Sequence, residues 1–268
     1  MSATGSGSPD VKVSVAMITY NHEAFIAQAI ESVLMQQTDF EVELVIGEDC
    51  STDGTRAIVC RYGERYPERI HLLLPEHNLG MMPNFVATLQ ACRGQYIALL
   101  EGDDYWTDPH KLQKQVDFLE AHPACSLCFH NTTTRYEDGH KPPQLRYPAG
   151  QKTLWTLEDI VYRNPITTCS VVFRNGLLGE LPSWYYAMPM GDRPLWVLLG
   201  QHGPAGYLED GMAVYRVHGG GIFSGRLPRS WARGLLTAYE AIDQLLDYAY
   251  HDRIVEGKTS YLRDIAEG

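Results

Sequence analysis

Two apolar rhythms alternate along the first half of the chain. Runs rich in β-branched residues at Lys12 to Thr19, Val42 to Gly47, Ile70 to Leu74 and Tyr96 to Leu100 read as buried strands. Between them, apolar residues recur at helical spacing. Phe25, Ile26, Ala29, Ile30, Val33 and Leu34 define one helix, and Ile58, Val59 and Tyr62 a second. Ser51 or Thr52 is expected to cap the second helix, and Pro83 to open a third through Ala91. Lys111 to Ala121 reads as a fourth helix, and Ser126 to Thr132 as a further strand. Strands separated by helices imply right-handed crossovers and a mostly parallel, Rossmann-like α/β sheet covered on both faces. Ligands of such sheets sit outside the carboxyl ends of the strands. Polar clusters fall at those ends: Thr19-Tyr20-Asn21, Glu48-Asp49 and Glu101-Gly102-Asp103-Asp104.

The second half is less regular. Prolines mark a loop around residues 138–152. A short helix at Leu157 to Tyr162 and strands at Ser170 to Arg174 and Met212 to Val217 are expected, the last ending at His218. Leu235, Leu236, Tyr239, Ile242, Leu245 and Leu246 form a helical stripe. It predicts a C-terminal helix packed on the body or on a partner, which leaves a homo-oligomer open. The division expected is a flexible lead-in at 1–10, a ligand-binding half at 11–135 and a second half at 136–268, in one continuous domain.

The 268 residues suffice to bury a large core without disulfide staples. Asp and Glu number 33 against 22 Lys and Arg, a formal net charge of −11. A nucleic-acid binder normally carries a basic footprint, so no nucleic-acid partner is expected. An anionic ligand held through a metal ion stays compatible with this charge. No apolar run approaches the roughly 18–20 residues of a membrane span. Residues 1–10 are Ser/Gly/Thr-rich and lack a basic start and an apolar stretch, which reads as a lead-in rather than a secretory signal. Six cysteines without framework spacing fit a reducing cytoplasm, the expected location.

Three acids in the four residues Glu101 to Asp104 repel one another unless a cation offsets them. Their hard oxygens suit Mg²⁺ or Mn²⁺, and such a cation usually also takes substrate phosphates. The plainer alternative is a solvated acidic turn capping the next helix. Asp49 to Cys60 imitates a calcium loop but has Cys60 where a bidentate Glu is required. Asp49 at the strand tip is instead expected to accept hydrogen bonds from a ligand, or else to cap the helix. Cys125 and Cys128 read as buried small hydrophobes rather than half a zinc site. His218 lies between Arg216 and a triple glycine, suited to a metal or a phosphate. Signatures of P-loop kinases, ordinary dinucleotide enzymes and serine hydrolases of the nucleophile-elbow type are missing from the sequence.

Four segments together resemble glycosyltransferase family 2, of the GT-A fold: Val13 to Asn21, Glu48 to Thr55, Asn78-Leu79-Gly80 and Leu99 to Trp106. The resemblance is close over residues 11–135. It is looser at Met190 to Trp196 and Tyr215 to His218, which look like acceptor-side and pyrophosphate-side motifs. It implies inverting transfer of a sugar from a nucleotide-diphosphate donor, UDP- or dTDP-linked. By the same resemblance, Thr19, Tyr20, Asn21 and Glu23 would line the nucleoside pocket, and Asp49 would bind base or ribose. Glu101, Gly102 and Asp103 align with the Asp-any-Asp motif, with Glu in place of the first Asp. Asp103 would ligate the metal, His218 would approach metal or diphosphate, and Asp192 would be the general base.

These assignments suit the chemistry. Glycosyl transfer passes through an oxocarbenium-like transition state. A divalent cation stabilises the leaving diphosphate, and Arg216 or His218 would add charge-assisted hydrogen bonds. An acceptor hydroxyl needs a carboxylate base: Asp192, or failing it Glu209 or Asp210. Asp192 could alternatively cap a helix. Asp104, Trp106, Arg193 and Trp196, with the aromatic run Trp184 to Tyr186, form the expected acceptor side, although aromatics there could equally be core. The acceptor expected is a glycan, a lipid-linked sugar or a small molecule. A non-catalytic sugar-nucleotide-binding protein and a sugar-nucleotide nucleotidyltransferase are the alternatives, and no Gly-rich basic loop supports the latter.

Overall fold

A computed structural model describes residues 11–221 and 229–267; the expected lead-in at 1–10 lies outside them. The four apolar runs form strands Val13–Thr19 (β1), Val42–Glu48 (β2), Ile70–Leu73 (β3) and Tyr96–Glu101 (β4). They pair in parallel in the order β3-β2-β1-β4. Helices Ile26–Leu34 (α1), Thr55–Arg65 (α2) and Met81–Ala91 (α3) connect them. Val13, Val15 and Met17 face one apolar layer with Ile26, Ala29, Ile30 and Val33 of α1. Ala16 faces the other layer, with Phe85, Val86 and Leu89 of α3. A strand buried on both faces has no polar side to alternate with, hence its nearly continuous apolar run.

The rest of the chain extends this sheet. It contributes strands Tyr105–Trp106 (β5), Leu127–Tyr136 (β6), Gln144–Leu145 (β7), Leu154–Trp155 (β8), Val172–Arg174 (β9) and Ala205–Val217 (β10). Helices are Lys111–Ala121 (α4), Leu157–Tyr162 (α5), Asp192–Gly200 (α6), Arg229–Leu245 (α7) and His251–Glu267 (α8). The main path runs β3-β2-β1-β4-β9-β6-β10-β5. β9 is antiparallel to both β4 and β6, β10 is parallel to β6, and β5 is antiparallel to β10. All strands of the path except β5 and β9 therefore run one way, the mostly parallel sheet expected.

Several boundaries differ from the sequence reading. β10 begins at Ala205 rather than Met212, because the register breaks on either side of Gly211. Glu209, Asp210 and Gly211 are exposed at this bulge and interrupt the apolar pattern. α2 starts at Thr55 with Gly54 at its cap, so neither Ser51 nor Thr52 caps it. α3 starts two residues before Pro83, which occupies the first turn, where its missing N–H donor costs no intrahelical hydrogen bond. Tyr239, Ile242 and Leu246 of the C-terminal stripe are buried in the layer that holds Leu195 and Leu199 of α6, so this stripe packs on the body. Among the described residues no helix is long and apolar enough to cross a membrane.

Candidate active site

A cavity of about 680 Å³ opens at the carboxyl ends of β1, β2 and β4. Thr19, Tyr20, Asp49, Glu101, Asp103 and Asp104 border it from the first half, and Asp192, Arg216 and His218 from the second. The topology thus gathers most of the expected site residues around one space.

The loop after β1 is zipped to the loop after β2. Asn21 N–H donates to Ser51 Oγ at 2.9 Å, and Thr52 N–H donates to Asn21 Oδ1 at 2.8 Å. Glu23 N–H donates to Asp53 Oδ2 at 3.1 Å, and Gly54 N–H donates to Glu23 Oε2 at 2.8 Å. Asn21 and Glu23 are therefore braces between loops and do not border the cavity, which corrects their expected nucleoside contacts. Asn21 sits at φ 56°, a left-handed conformation its short amide tolerates. Asp49 borders the cavity, but its oxygens already accept from Leu79 N–H at 2.7 Å and Gly80 N–H at 3.0 Å. It fixes the 78–80 loop rather than standing free. Gly102 lies behind the cavity wall, where an added Cβ would meet Thr19 Oγ1 at 2.5 Å.

Arg216 departs most from expectation. Its side chain is almost wholly buried, and its Nε donates to Glu137 Oε1 at 3.1 Å. Nη1 donates to the Asp103 carbonyl at 2.5 Å, and Nη2 donates to Gln28. The guanidinium packs over the Tyr105 and Phe25 rings, at 4.3 and 5.0 Å from their centroids. These partners engage all three of its nitrogens, so it positions the acidic turn. Its backbone N–H holds Asp104 Oδ1 at 2.8 Å, and Asp104 is 2% exposed. Burial, with the neighbouring Asp103 and Glu101 charges, pushes the Asp104 carboxyl well above the ordinary range. Asp104 is thus an internal anchor, and its expected acceptor contact is corrected. Burial and the Asp103 charge raise Glu101 to about 8, and its Oε2 has no partner among the described residues.

Asp103 Oδ2 lies 3.0 Å from His218 Nε2 and 3.7 Å from His22 Nε2. Burial opposes ionisation of Asp103, but the His218 hydrogen bond and the two imidazoles outweigh it and leave its proton affinity below the ordinary range. The His22 ring is fixed from behind by Thr19 Oγ1, 3.2 Å from Nδ1. His22 was not singled out from the sequence, although it directly follows the Val13 to Asn21 segment that carries the resemblance. Burial lowers its proton affinity despite the nearby Asp103.

Asp192 is the first residue of α6, after Gly191, and so begins the helix rather than capping it. Asn164 Nδ2 donates to Asp192 Oδ2 at 3.2 Å, and Tyr185 Oη donates to the Gly191 carbonyl at 2.8 Å. Burial raises the Asp192 carboxyl above its ordinary range, partly offset by hydrogen bonds from the Arg193 backbone and Asn164. Most of the expected acceptor residues are core instead. Trp106 and Trp196 are 1% and 0% exposed and do not border the cavity. The Trp106 indole donates to the Cys169 carbonyl at 2.8 Å. Arg193 borders the cavity but is buried, donating to the Val161 carbonyl at 3.0 Å and lying 4.1 Å over the Tyr239 ring. Tyr185 is buried, and Trp184 and Tyr186 do not border the cavity. Glu209 and Asp210 lie away from it: Glu209 accepts from Gly150 N–H, and Asp210 faces Lys114. Neither is a fallback base.

Known proteins match this chain in sequence and in fold. The family model described as glycosyl transferase family 2 matches residues 14–178, more than half the chain. An uncharacterized protein of Mycobacterium tuberculosis, Rv1520, is 40% identical over 215 residues, or 79% of this chain, and the match spans only 60% of that relative. TarS of S. aureus, in complex with UDP-GlcNAc, superimposes with a TM-score of 0.66 at 21% identity, covering 91% of this chain and 72% of that one. The mannosyltransferase PcManGT of Pyrobaculum calidifontis, in complex with GDP-Man and Mn²⁺, gives 0.63 at 18% identity, covering 98% and 77%. With the GT-A architecture and the match over residues 14–178, this chain belongs to glycosyltransferase family 2.

Proposed function

We propose that the chain transfers a sugar from a UDP- or dTDP-linked donor to an acceptor hydroxyl, in one inverting displacement with Asp192 as general base. One juxtaposition carries this reading. Asp192 at the start of α6 borders the same cavity as the Asp103–His218 pair at the ends of β4 and β10. The donor would lie along the strand ends, its nucleoside toward Tyr20 and Asp49 and its diphosphate toward Asp103 and His218. Asp192 would take the acceptor proton as the new C–O bond forms and the bond to the diphosphate breaks. Its raised proton affinity suits a base that must hold that proton. The complexes of TarS with UDP-GlcNAc and of PcManGT with GDP-Man support a sugar-nucleotide donor.

The same cavity fits Mn²⁺ or Mg²⁺. Asp103 and His218 offer an oxygen and a nitrogen donor, with His22 beside them. Among the described residues no group of three His, Cys, Asp or Glu side chains forms a complete metal cage. Donor phosphates and water would fill the remaining positions, as is usual for cations shared with a diphosphate. When bound, the ion supplies Lewis-acid stabilisation of the leaving diphosphate.

Thermal unfolding with UDP, dTDP, GDP and CDP, each with and without Mn²⁺, tests the donor site. A ligand at 100 times its dissociation constant adds about 2.7 kcal/mol, a rise of roughly 5–10 °C for a chain of this size. A metal-dependent rise with UDP or dTDP is expected. No rise with any nucleotide would overturn the reading.

A further inference from the structure

Arg146 and Arg163 border the cavity. Neither forms a salt bridge among the described residues, in a chain of net charge −11. The other two arginines at the cavity are committed elsewhere, Arg216 to Glu137 and Arg193 to the Val161 carbonyl.

Hydrogen bonds from Arg146, and the adjacency of Arg163 to Asn164, tie this pair to the proposed base. Arg146 N–H donates to the Thr132 carbonyl at 2.8 Å, tying its loop to β6. Arg146 Nε donates to Tyr147 Oη at 3.1 Å, and Tyr147 Oη donates to the Pro165 carbonyl at 2.7 Å. The loop carrying Arg163 is thereby tied to the loop carrying Arg146. The next residue, Asn164, donates to Asp192 Oδ2 at 3.2 Å. The positive charge of Arg146 also eases ionisation of Asp192. Both arginines therefore belong to the base end of the cavity, not to the Asp103–His218 end where the donor diphosphate is expected.

A guanidinium presents paired N–H donors that match the oxygens of a phosphate or carboxylate. We infer that Arg146 and Arg163 bind an anionic acceptor, a sugar bearing a phosphate, diphosphate or carboxylate near the hydroxyl that Asp192 deprotonates. This rests on the proposed transfer reaction and adds the acceptor's charge to it. The balance of that reaction is unchanged. The acceptor oxygen bonds to the sugar's anomeric carbon, the bond from that carbon to the diphosphate breaks, the electron pair leaves with the nucleoside diphosphate, and the proton goes to Asp192.

The test uses the full chain loaded with donor and Mn²⁺ and four acceptors. These are a neutral methyl hexoside, the matching hexose 1-phosphate, a methyl hexuronide and an octyl-diphosphate hexose. Charged acceptors should be used at least about ten-fold better in kcat/KM, and the R146Q/R163Q double variant should raise their KM about ten-fold or more. A leading octyl-diphosphate hexose would identify a lipid head group as the source, and a leading hexose 1-phosphate a soluble phosphate. Equal use of the methyl hexoside, a preference for charge that survives R146Q/R163Q, or binding of none of the four overturns the inference. The nucleotide-induced rise in Tm separates the two levels. If it is lost in the unaltered chain, the transferase reading fails; if it persists without charge preference, only the anionic acceptor fails.

Discussion

Arg216 donates from Nη1 to the main-chain carbonyl of Asp103 at 2.5 Å, which makes the acidic turn a braced structure. Gln28 and Glu137 hold the other end of the same guanidinium. A methionine would keep much of the apolar stem but lose every donor. R216M should therefore release the Asp103–Asp104 turn and lower transfer at least about 100-fold, because misplaced groups lose the positioning advantage. Stability should fall by about 1–3 kcal/mol, from partners left unpaired. The Mn²⁺-dependent rise in Tm with nucleotide should shrink in parallel. An undiminished rise with activity within three-fold would mean that Arg216 positions nothing.

The parts of this site that were legible in the sequence are those made by local signals. Buried strands announce themselves by apolar runs, and each acidic or polar cluster follows directly on one. Asp192 was singled out through Met190 to Trp196, the segment that carries the looser resemblance. What was not legible depends on distant partners. Gln28 and Arg216 lie 188 residues apart, and nothing near Arg216 reveals that its charge is already taken. Asn21 and Glu23 lie beside Tyr20 in the sequence, yet the loop 30 residues on turns them away from the cavity. Trp106 and Trp196 follow site residues closely in sequence, and only the packed layers decide that they are core. The bulge at Gly211 erased the pattern by which the first half of β10 would have been found.

Gly102 is required by space rather than by backbone conformation. An added methyl would lie 2.5 Å from Thr19 Oγ1, 2.7 Å from Thr19 Cβ and 3.0 Å from Ile26 Cδ1. Thr19 is 2% exposed and has little room to yield. G102A should cost about 1–3 kcal/mol, as overpacked cores do, and lower Tm by several degrees. Thr19 also holds His22 from behind, so nucleotide binding should weaken too. An unchanged Tm for G102A would show that the wall behind the acidic turn is softer than its packing implies.

Lys111 predicts a pH dependence of stability. It is fully buried, donates to Gln115 Oε1 at 2.7 Å and lies 4.0 Å over the Trp106 ring. Burial pushes its pKa down to about 7, from 10.5 in the unfolded reference. Between these values the unfolded chain binds more protons, so the Lys111 contribution to stability rises with pH and is most unfavourable below about 7. Between pH 7 and 9 wild type should gain on K111M by up to about 2 kcal/mol. K111M should be at least as stable as wild type at pH 6. Unfolding midpoints of both proteins across this range provide the check, and a flat difference would mean that Lys111 keeps its charge when folded.

Asn164 and Asp192 make the role of the base testable beyond simple loss of activity. D192N should reduce transfer about 10²–10⁴-fold, the usual worth of a positioned base, and leave the nucleotide-induced rise in Tm intact. Asn164 donates to Asp192 Oδ2 and so favours the ionised carboxylate. Removing that donor in N164A should raise the proton affinity of Asp192. If Asp192 works as a base, the acidic limb of the kcat/KM profile must then move to higher pH, with activity recovering as pH rises. A purely structural role for Asn164 would lower activity evenly across pH and leave the limb where it was. A shift to lower pH would contradict the hydrogen bond's direction, and full activity in D192N would remove Asp192 from the reaction.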